Sequence, residues 1–337
     1  MKNQRKRFAA VCLSLLIFMT GCGAKGQQEQ SGSSQSADTT EEVTLQIAYQ
    51  YGIAYAPLIV AKEQKLIESA YEERTGNHVT VVWNQMSSGP DINAGISSGN
   101  IDVGFLGVAP AITGIMKGVG YKIFTSVSGQ EHALMTNDEG INSISDLVGS
   151  SDQIALVNIG SIQHIILAKT LEEQGLDPHA LDSNIVAMKH PDGMTALESK
   201  NVACQLTTSP YLYQEREEEG LHELPEVADT WKKEDSFVVG VASEELYKED
   251  PDLYQALCDA MTEAIAYVND NMEETAKLTS VYDGTDEADE LGYLQAGTYN
   301  TETKGVLELA EFMAKNGFIE KAPTSYSDLV FDNVNGD

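Results

Sequence analysis

The chain has 337 residues, 42% of them hydrophobic and 22% charged, a balance that can bury a core and excludes a disordered or fibrous protein. Its 52 Asp and Glu outnumber 21 Lys and Arg, giving a net charge of −31. Such acidity argues against DNA or RNA as a partner, because nucleic-acid affinity rests on Lys and Arg neutralising phosphates, and against an electrostatic grip on anionic lipid. At roughly 150 residues per domain the length predicts two domains.

Lys2, Arg5, Lys6 and Arg7 make a basic start, and the apolar run Phe8 to Met19 has the length of a signal h-region, too short for a comfortable membrane helix. Met19-Thr20-Gly21-Cys22 follows and is similar to a bacterial lipobox, with Met where Leu is commoner. The similarity implies cleavage before Cys22 and a lipid on that residue; the alternative is an ordinary secretory signal with an incidental Cys. Removing residues 1–21 takes away those four positive charges, so the net charge moves from −31 to about −35. Gly23 to Glu42 is rich in Gln, Ser, Gly and Thr and free of aromatics, which reads as a flexible tether (residues 22–42). The expected location is the extracytoplasmic face of the cell membrane, held by the lipid anchor. Cys12 leaves with the signal, and Cys204 and Cys258 stand in apolar stretches that favour small core residues over a bridge. With no CxxC and no Cys/His cluster, neither a metal nor a disulfide framework is expected, and no cofactor.

In the body, Val43 to Tyr49 alternates at period two and reads as a strand, and Ala56 to Ser69 reads as a helix with Pro57 in its first turn. Strands are predicted at 79–83, 102–106 and 121–126, with helices at 91–98 and 109–116 between them. From Ile141 the pattern restarts: helices at 143–147, 161–174, 194–198 and 211–219 alternate with strands at 153–157, 184–188 and 203–207. A strand at 237–242 precedes a mostly helical end, with helices at 244–247, 251–269, 272–282 and 301–316. This alternation argues for an α/β fold with parallel sheets.

In such sheets ligands sit outside the carboxyl ends of the strands. The strand-end loops run through Gln50 to Tyr55, Asn84 to Gly89, Gly107 to Ala109, Ser126 to Gly129, Asn158 to Ser161, Lys189 to Asp192 and Thr208 to Tyr211. They are rich in Ser, Gly and Tyr, which suits hydroxyl and backbone hydrogen bonds with aromatic faces for stacking. No Ser/His/Asp triad spacing, Walker loop or GxGxxG is present, so no catalytic residue is named.

Tyr55-Ala56-Pro57 before a Val-Ala-Lys helix, the strand-end Ser87-Ser88-Gly89, the run Ser97 to Phe105, and Val108-Ala109-Pro110 resemble the periplasmic-binding-protein group that serves ABC importers. The nearest branch is that of aliphatic sulfonate, taurine, nitrate and thiamine-precursor binding proteins. Ser143 to Gly149 and Gly160-Ser161 with Leu171 to Leu176 resemble that branch's second-lobe motifs, and the resemblance covers about residues 43–335. It implies a two-lobed type II clamshell with crossed strand order and hinge-linked mixed sheets. Lobe I would hold 43–125 and 237–337, lobe II 126–236, with hinges near Ser126 and near Trp231 to Ser236. It further implies capture of a small solute, delivery to ABC permease subunits and a monomeric protein that is not an enzyme. A ligand-sensing lobe for a membrane receptor and a thiamine-pyrimidine-forming enzyme on the same fold stay open as alternatives; the signal speaks against the enzyme.

The ligand-binding candidates come from those loops. Ser161 opens a helix, where it either caps the helix or presents free N–H groups to a ligand. Ser87, Ser88 and Gly89 precede another helix start, and Val108 and Ala109 open a third. Tyr51 and Tyr55 lie in the first loop, whereas Tyr49 shares a face with Ile47 and Leu45 and reads as core. His190, Asp192, Ser128, Ser209 and Tyr211 complete the set; His190 with His164 would place two imidazoles near the cleft. Beyond the signal only Arg74 and Arg216 exist, both flanked by Glu, so a strongly anionic ligand would lack a bidentate Arg clamp. That favours a neutral or weakly charged ligand with an aromatic part, with a sulfonate still open.

Overall fold

Two mixed sheets, each with an antiparallel strand wedged beside three parallel ones, organise the protein. The structure is a computed structural model and describes residues 43–336; the signal segment, Cys22 and the tether lie outside the described residues.

The first half runs β1 (Val43–Tyr49), α1 (Ala56–Glu63), α2 (Leu66–Thr75), β2 (Val79–Gln85), α3 (Gly89–Ser97), β3 (Val103–Gly107), α4 (Val108–Met116) and β4 (Tyr121–Gly129). Next come β5 (His132–Thr136), β6 (Ile154–Leu156), α5 (Ile162–Glu173), β7 (Ile185–Ala187), α6 (His190–Glu198), β8 (Cys204–Thr208), α7 (Tyr211–Glu217), β9 (His222–Leu224) and α8 (Glu226–Thr230). The chain then returns through β10 (Val238–Ser243), α9 (Glu244–Glu249), α10 (Pro251–Asp270), α11 (Met272–Asp283), α12 (Glu287–Ala296), β11 (Thr298–Tyr299) and α13 (Val306–Lys315).

The first sheet has the order β2-β1-β3-β10-β4-β11 and the second β7-β6-β8-β5-β9. In the first, β10 runs antiparallel to both β3 and β4; in the second, β5 runs antiparallel to β8 and β9. The alternation rule foresaw only parallel pairing. It fails at β5 and β10 because each enters its sheet from the other half of the chain rather than through a helical crossover, and only crossovers force parallel strands. The chain passes from the first sheet to the second at Gln130-Glu131 and returns between α8 and β10.

Predicted helix 56–69 is two helices. Lys65 adopts a left-handed conformation (φ 53°), which re-aims the chain so that Leu66, Ile67 and Tyr71 of α2 reach the core. The longest helix, α10, is capped by Asp250, whose carboxylate accepts from Leu253 N–H at 3.0 Å, and carries Pro251 in its first turn. It buries Leu253, Leu257, Met261, Ile265 and Val268 along one stripe. Burying each such side chain is worth about 1.5–3 kcal/mol, so this stripe, rather than helix propensity, fixes α10 on the sheet. Strands β5, β9 and β11 and helices α8 and α12 were not foreseen. All five residues of β5 are buried, so it has no polar alternation to read. Cys204 is buried in β8 and Cys258 half-buried on α10, both as free thiols. Among the described residues no helix is long and apolar enough to cross a membrane.

Candidate ligand-binding site

The strand-end loops of the two sheets meet, and they do so in two places. The first is a closed seam. Ser88 caps α3, accepting from Asp91 N–H at 3.3 Å while its hydroxyl donates to the Asp91 carboxylate at 2.7 Å. From the other sheet, Asn158 Nδ2 reaches the same hydroxyl at 3.4 Å. Ser161 caps α5 by accepting from His164 N–H at 3.3 Å. The preceding turn is held by Gly160, whose N–H donates to His164 Nδ1 at 3.1 Å, leaving Nε2–H to donate to Asp182 at 3.0 Å. A Cβ on Gly107 would stand 2.8 Å from Ile162 Cγ2, and one on Gly89 2.4 Å from Pro110 Cγ. Gly107 lets the first turns of α4 and α5 touch, and Gly89 does the same for α3 and α4. Val108 and Ala109 are buried there, and the Val108 N–H donates to the Phe237 carbonyl at 2.8 Å. Ser88, Gly89, Val108, Ala109 and Ser161 are thus brought together, with both hydroxyls engaged as caps. Ser87 is not among them: it is exposed, in an open groove of about 500 Å³ with Gln85, Met86 and Asp91.

The second place is a polar mouth. Gly52 has a φ of 100°, open to few residues but glycine, and a Cβ there would lie 3.3 Å from the Ser209 carbonyl. The loop after β1 therefore rests directly on the Ser209-Pro210 turn, whose peptide bond is cis. Beside this contact stand Tyr51 and Tyr211, both half-buried. His190, the first residue of α6, stacks on Tyr211 with 5.6 Å between centroids and 18° between planes. Lys189 holds its ammonium 5.3 Å from the centre of the Tyr51 ring, a cation–π contact between residues of the two sheets' loops. Asp192 is exposed in the first turn of α6. Tyr55 lies under the loop, buried, with its hydroxyl donating to Gln50 at 3.0 Å; a cavity there is also lined by Gly52 and Asp283.

Between seam and mouth lies a buried polar floor. His132 Nδ1–H donates to the Gln130 carbonyl at 3.2 Å, so its Nε2 accepts from Gln163 of α5 at 3.4 Å. Burial, with the Gln130 bond opposing, pushes the His132 pKa down to about 3, and burial pushes that of His190 down to about 4. Both imidazoles are neutral at physiological pH, which leaves them as hydrogen-bonding groups. Gln205 donates to the His190 carbonyl at 3.0 Å; Gly193 lies against that amide, where a Cβ would meet it at 2.9 Å. The hydroxyls of Ser128 and Ser209 and Gln205 Oε1 are buried with no protein partner. Orphaned buried polar atoms cost about 1–3 kcal/mol each, a cost a ligand or water can relieve.

Three contributors escaped the sequence reading. Asp283, at the end of α11, accepts from the Gly52 N–H; burial and the neighbouring Glu290 push its pKa up to about 7 against that bond. Lys189 was in view as a loop residue without a role, and His132 belongs to the strand that went unseen. His164 sits against Phe318 and Asp182 behind the seam rather than beside His190. Among the described residues no group of three or more His, Cys, Asp or Glu is placed to hold a metal.

The model of the NMT1-like family matches residues 38–281, most of the chain. The chain belongs to the NMT1-like family. A relative, the taurine-binding periplasmic protein of Escherichia coli (strain K12), is 21% identical over 313 residues, covering 86% of this chain and 92% of that one. Among solved structures, the alkanesulfonate-binding protein SsuA from Xanthomonas axonopodis pv. citri, bound to MOPS, superposes with a TM-score of 0.68 at 16% identity, over 88% of this chain and 99% of the other. A Candida albicans protein described as having the generic periplasmic-binding-protein fold gives 0.69 at 15% identity, over 87% and 97%. This NMT1-like chain therefore has the periplasmic-binding-protein fold, and its two mixed sheets are the two-lobed architecture the sequence motifs implied.

Proposed function

We propose that this chain is the extracytoplasmic solute-binding protein of an ABC importer, capturing one small organic solute between two lobes and passing it to the membrane permease. One observation carries the reading. Two mixed sheets, joined by two passages of the chain, bring their ligand-facing loops together over a floor of buried, unpartnered polar atoms. Two strands of chain joining such halves make a natural hinge, and a solute bridging the loops would favour closure. The named relatives, which bind taurine and alkanesulfonates, are binding proteins rather than enzymes, and this supports a carrier role. In this reading lobe I comprises 43–129 and 237–337 and lobe II 130–236, with the first crossover at Gln130-Glu131 rather than near Ser126. The lobes would grip the solute through Tyr51, Tyr211, His190, Ser128 and Ser209, and a lipid on Cys22 would hold the monomer at the membrane.

Native mass spectrometry of gently purified protein should show one retained small molecule per chain, and saturating it should reduce the radius of gyration in small-angle scattering. A chain that retains nothing and keeps its dimensions in the presence of every candidate solute overturns the carrier reading. For the anchor, Cys22→Ala should release the protein to the medium; a variant that stays in the membrane fraction sinks that part.

A further inference from the structure

One helix runs from the second crossover to the opposite lobe. α13 is rooted where the chain returns to the first sheet: the Lys304 N–H donates to Ser236 Oγ at 2.9 Å, the Ser236 N–H donates to the Lys304 carbonyl at 3.1 Å, and the Lys304 ammonium stands 3.7 Å from Asp235. From there α13 packs on α4 and buries Val306, Leu309, Phe312 and Met313. Its far end is held by the lobe built on the second sheet. Glu172, in the last turn of α5, accepts from Lys315 at 2.9 Å and from Asn316 Nδ2 at 3.1 Å. Phe318 stands edge-on to His164 and lies 4.7 Å, centre to centre, from the His179 ring.

His179 closes this junction, and its two ring nitrogens fix its protonation. Nδ1 lies 2.8 Å from the Asp182 carboxylate and Nε2 2.8 Å from the Asn316 carbonyl. A carboxylate and a carbonyl only accept, so both nitrogens carry a proton and the ring is an imidazolium. A neutral ring would set a lone pair against one of the two oxygens. His164 differs: it accepts at Nδ1 and donates at Nε2 to the other oxygen of Asp182, and so is neutral. The other charges around the junction are Asp177 in the same connection, Glu172 and Lys169 on α5, and Lys315 on α13. Glu172 is paired with Lys315 and Lys169 with Glu173. The Asn316 carbonyl, then Asp182, raise the His179 pKa above the ordinary histidine value, with burial opposing.

A lobe that swings about the two crossovers carries Glu172, His179 and Asp182 away from an α13 fixed on the other lobe. We propose that α13 is a strap between the lobes whose tip is fastened by the His179 imidazolium, so that acid holds the lobes in their present arrangement and alkali frees them to open. The sign follows from the raised pKa: the fastening is complete at low pH and is lost as pH rises through the folded value. The proposal needs only the two-lobed fold, whatever the solute, so its failure leaves the carrier reading standing.

The test is neutron scattering on full-length, solute-free protein in contrast-matched detergent, from about pH 5.5 to about pH 9.5, a span that brackets the ordinary histidine pKa. Melting temperatures confirm folding. Asp283 and Glu215 titrate in the same span, so the comparison is among His179 variants. The radius of gyration of wild type should rise with pH in one transition. His179→Ala should lose that transition and keep the larger radius throughout. His179→Arg, which keeps a charge and several N–H donors at every pH, should keep the smaller radius throughout. In spectra of protein labelled with nitrogen-15 histidine, with six rings in the chain, the ring absent from His179→Ala should carry both protons at about pH 6. Any one of four results overturns the proposal: a neutral His179 ring at that pH, a wild-type radius that does not change with pH, an unaltered transition in His179→Ala, or a His179→Arg protein as expanded as His179→Ala.

Discussion

The His132 ring stands edge-on against Phe237, with 4.6 Å between centroids and 81° between planes. His132 opens β5 just after the chain leaves the first sheet, and Phe237 precedes β10 just before the chain rejoins it. The two crossovers therefore touch through these rings, and Trp231 closes on the same imidazole at 5.8 Å. The Phe237 N–H donates to the Ser128 carbonyl at 2.9 Å, tying the second crossover to the end of β4.

This buried imidazole makes stability depend on acid. His132 has a folded pKa of about 3, pushed down by burial, against an ordinary value of 6.5. The unfolded chain thus takes up its proton first, so the stabilisation is fully present above pH 6.5 and is lost as pH falls toward 3. His190, at about 4, adds to the same trend. His132→Leu should flatten the fall of melting temperature between pH 6.5 and 4 relative to wild type. A variant whose melting temperature falls as steeply as that of wild type counts against the assignment.

Glu215 gives the opposite slope. It is fully buried on α7, neither carboxylate oxygen has a partner, and burial, then Glu198, pushes its pKa up to about 8. Raised from 4.5, this group contributes stability below pH 4.5 that drains away as pH rises to 8. Glu215→Gln should stabilise the protein by a few kcal/mol at pH 9, each pKa unit being about 1.4 kcal/mol, and make almost no difference at pH 4. Urea titrations at both pH values check this; equal gains at pH 4 and 9 would refute it.

Gly107 tests the seam. Its φ of −57° suits any residue, so a side chain there adds no backbone strain, yet a Cβ would meet Ile162 across the seam at 2.8 Å. Gly107→Val should hold the two loop sets apart and enlarge the radius of gyration. Melting temperature should fall by no more than a typical overpacking cost of about 1–3 kcal/mol would cause. Scattering curves identical to wild type would show that the seam is not a closure contact.

Strands β1 to β4 of the first sheet were readable because β1 alternates and β2, β3 and β4 are bounded by Gly, Asn and Ser turns, whereas the two-residue β11 was not; the loops that follow β1 to β4 were located by the strand-end rule. The mouth's charged members were not. Asp283 terminates a helix far along the chain from the Gly52 loop it meets, so no local pattern announces the pair. Lys189 could be read as a loop residue, but its placement over Tyr51 exists only once two loops from different sheets converge. Ser88 and Ser161 were correctly tied to helix starts, where the cap requirement of exposed N–H groups leaves a local signature. What that requirement could not reveal is that an Asn158 side chain would close on Ser88 from the other sheet.

The order of the first sheet bears on how the protein is made. Both neighbours of β4 are β10 and β11, which belong to the far end of the chain. As the polypeptide emerges, β4 stands with both edges unpaired until β10 (Val238–Ser243) has followed and with one edge unpaired until β11 (Thr298–Tyr299), and β3 lacks one partner until β10. A nascent chain of this topology cannot lock its first lobe prematurely, because the long-range pairing that would do so does not yet exist. Were the N-terminal segment to act as the secretion signal it resembles, that delay would keep the chain threadable through a translocation channel, with folding completed on the far side.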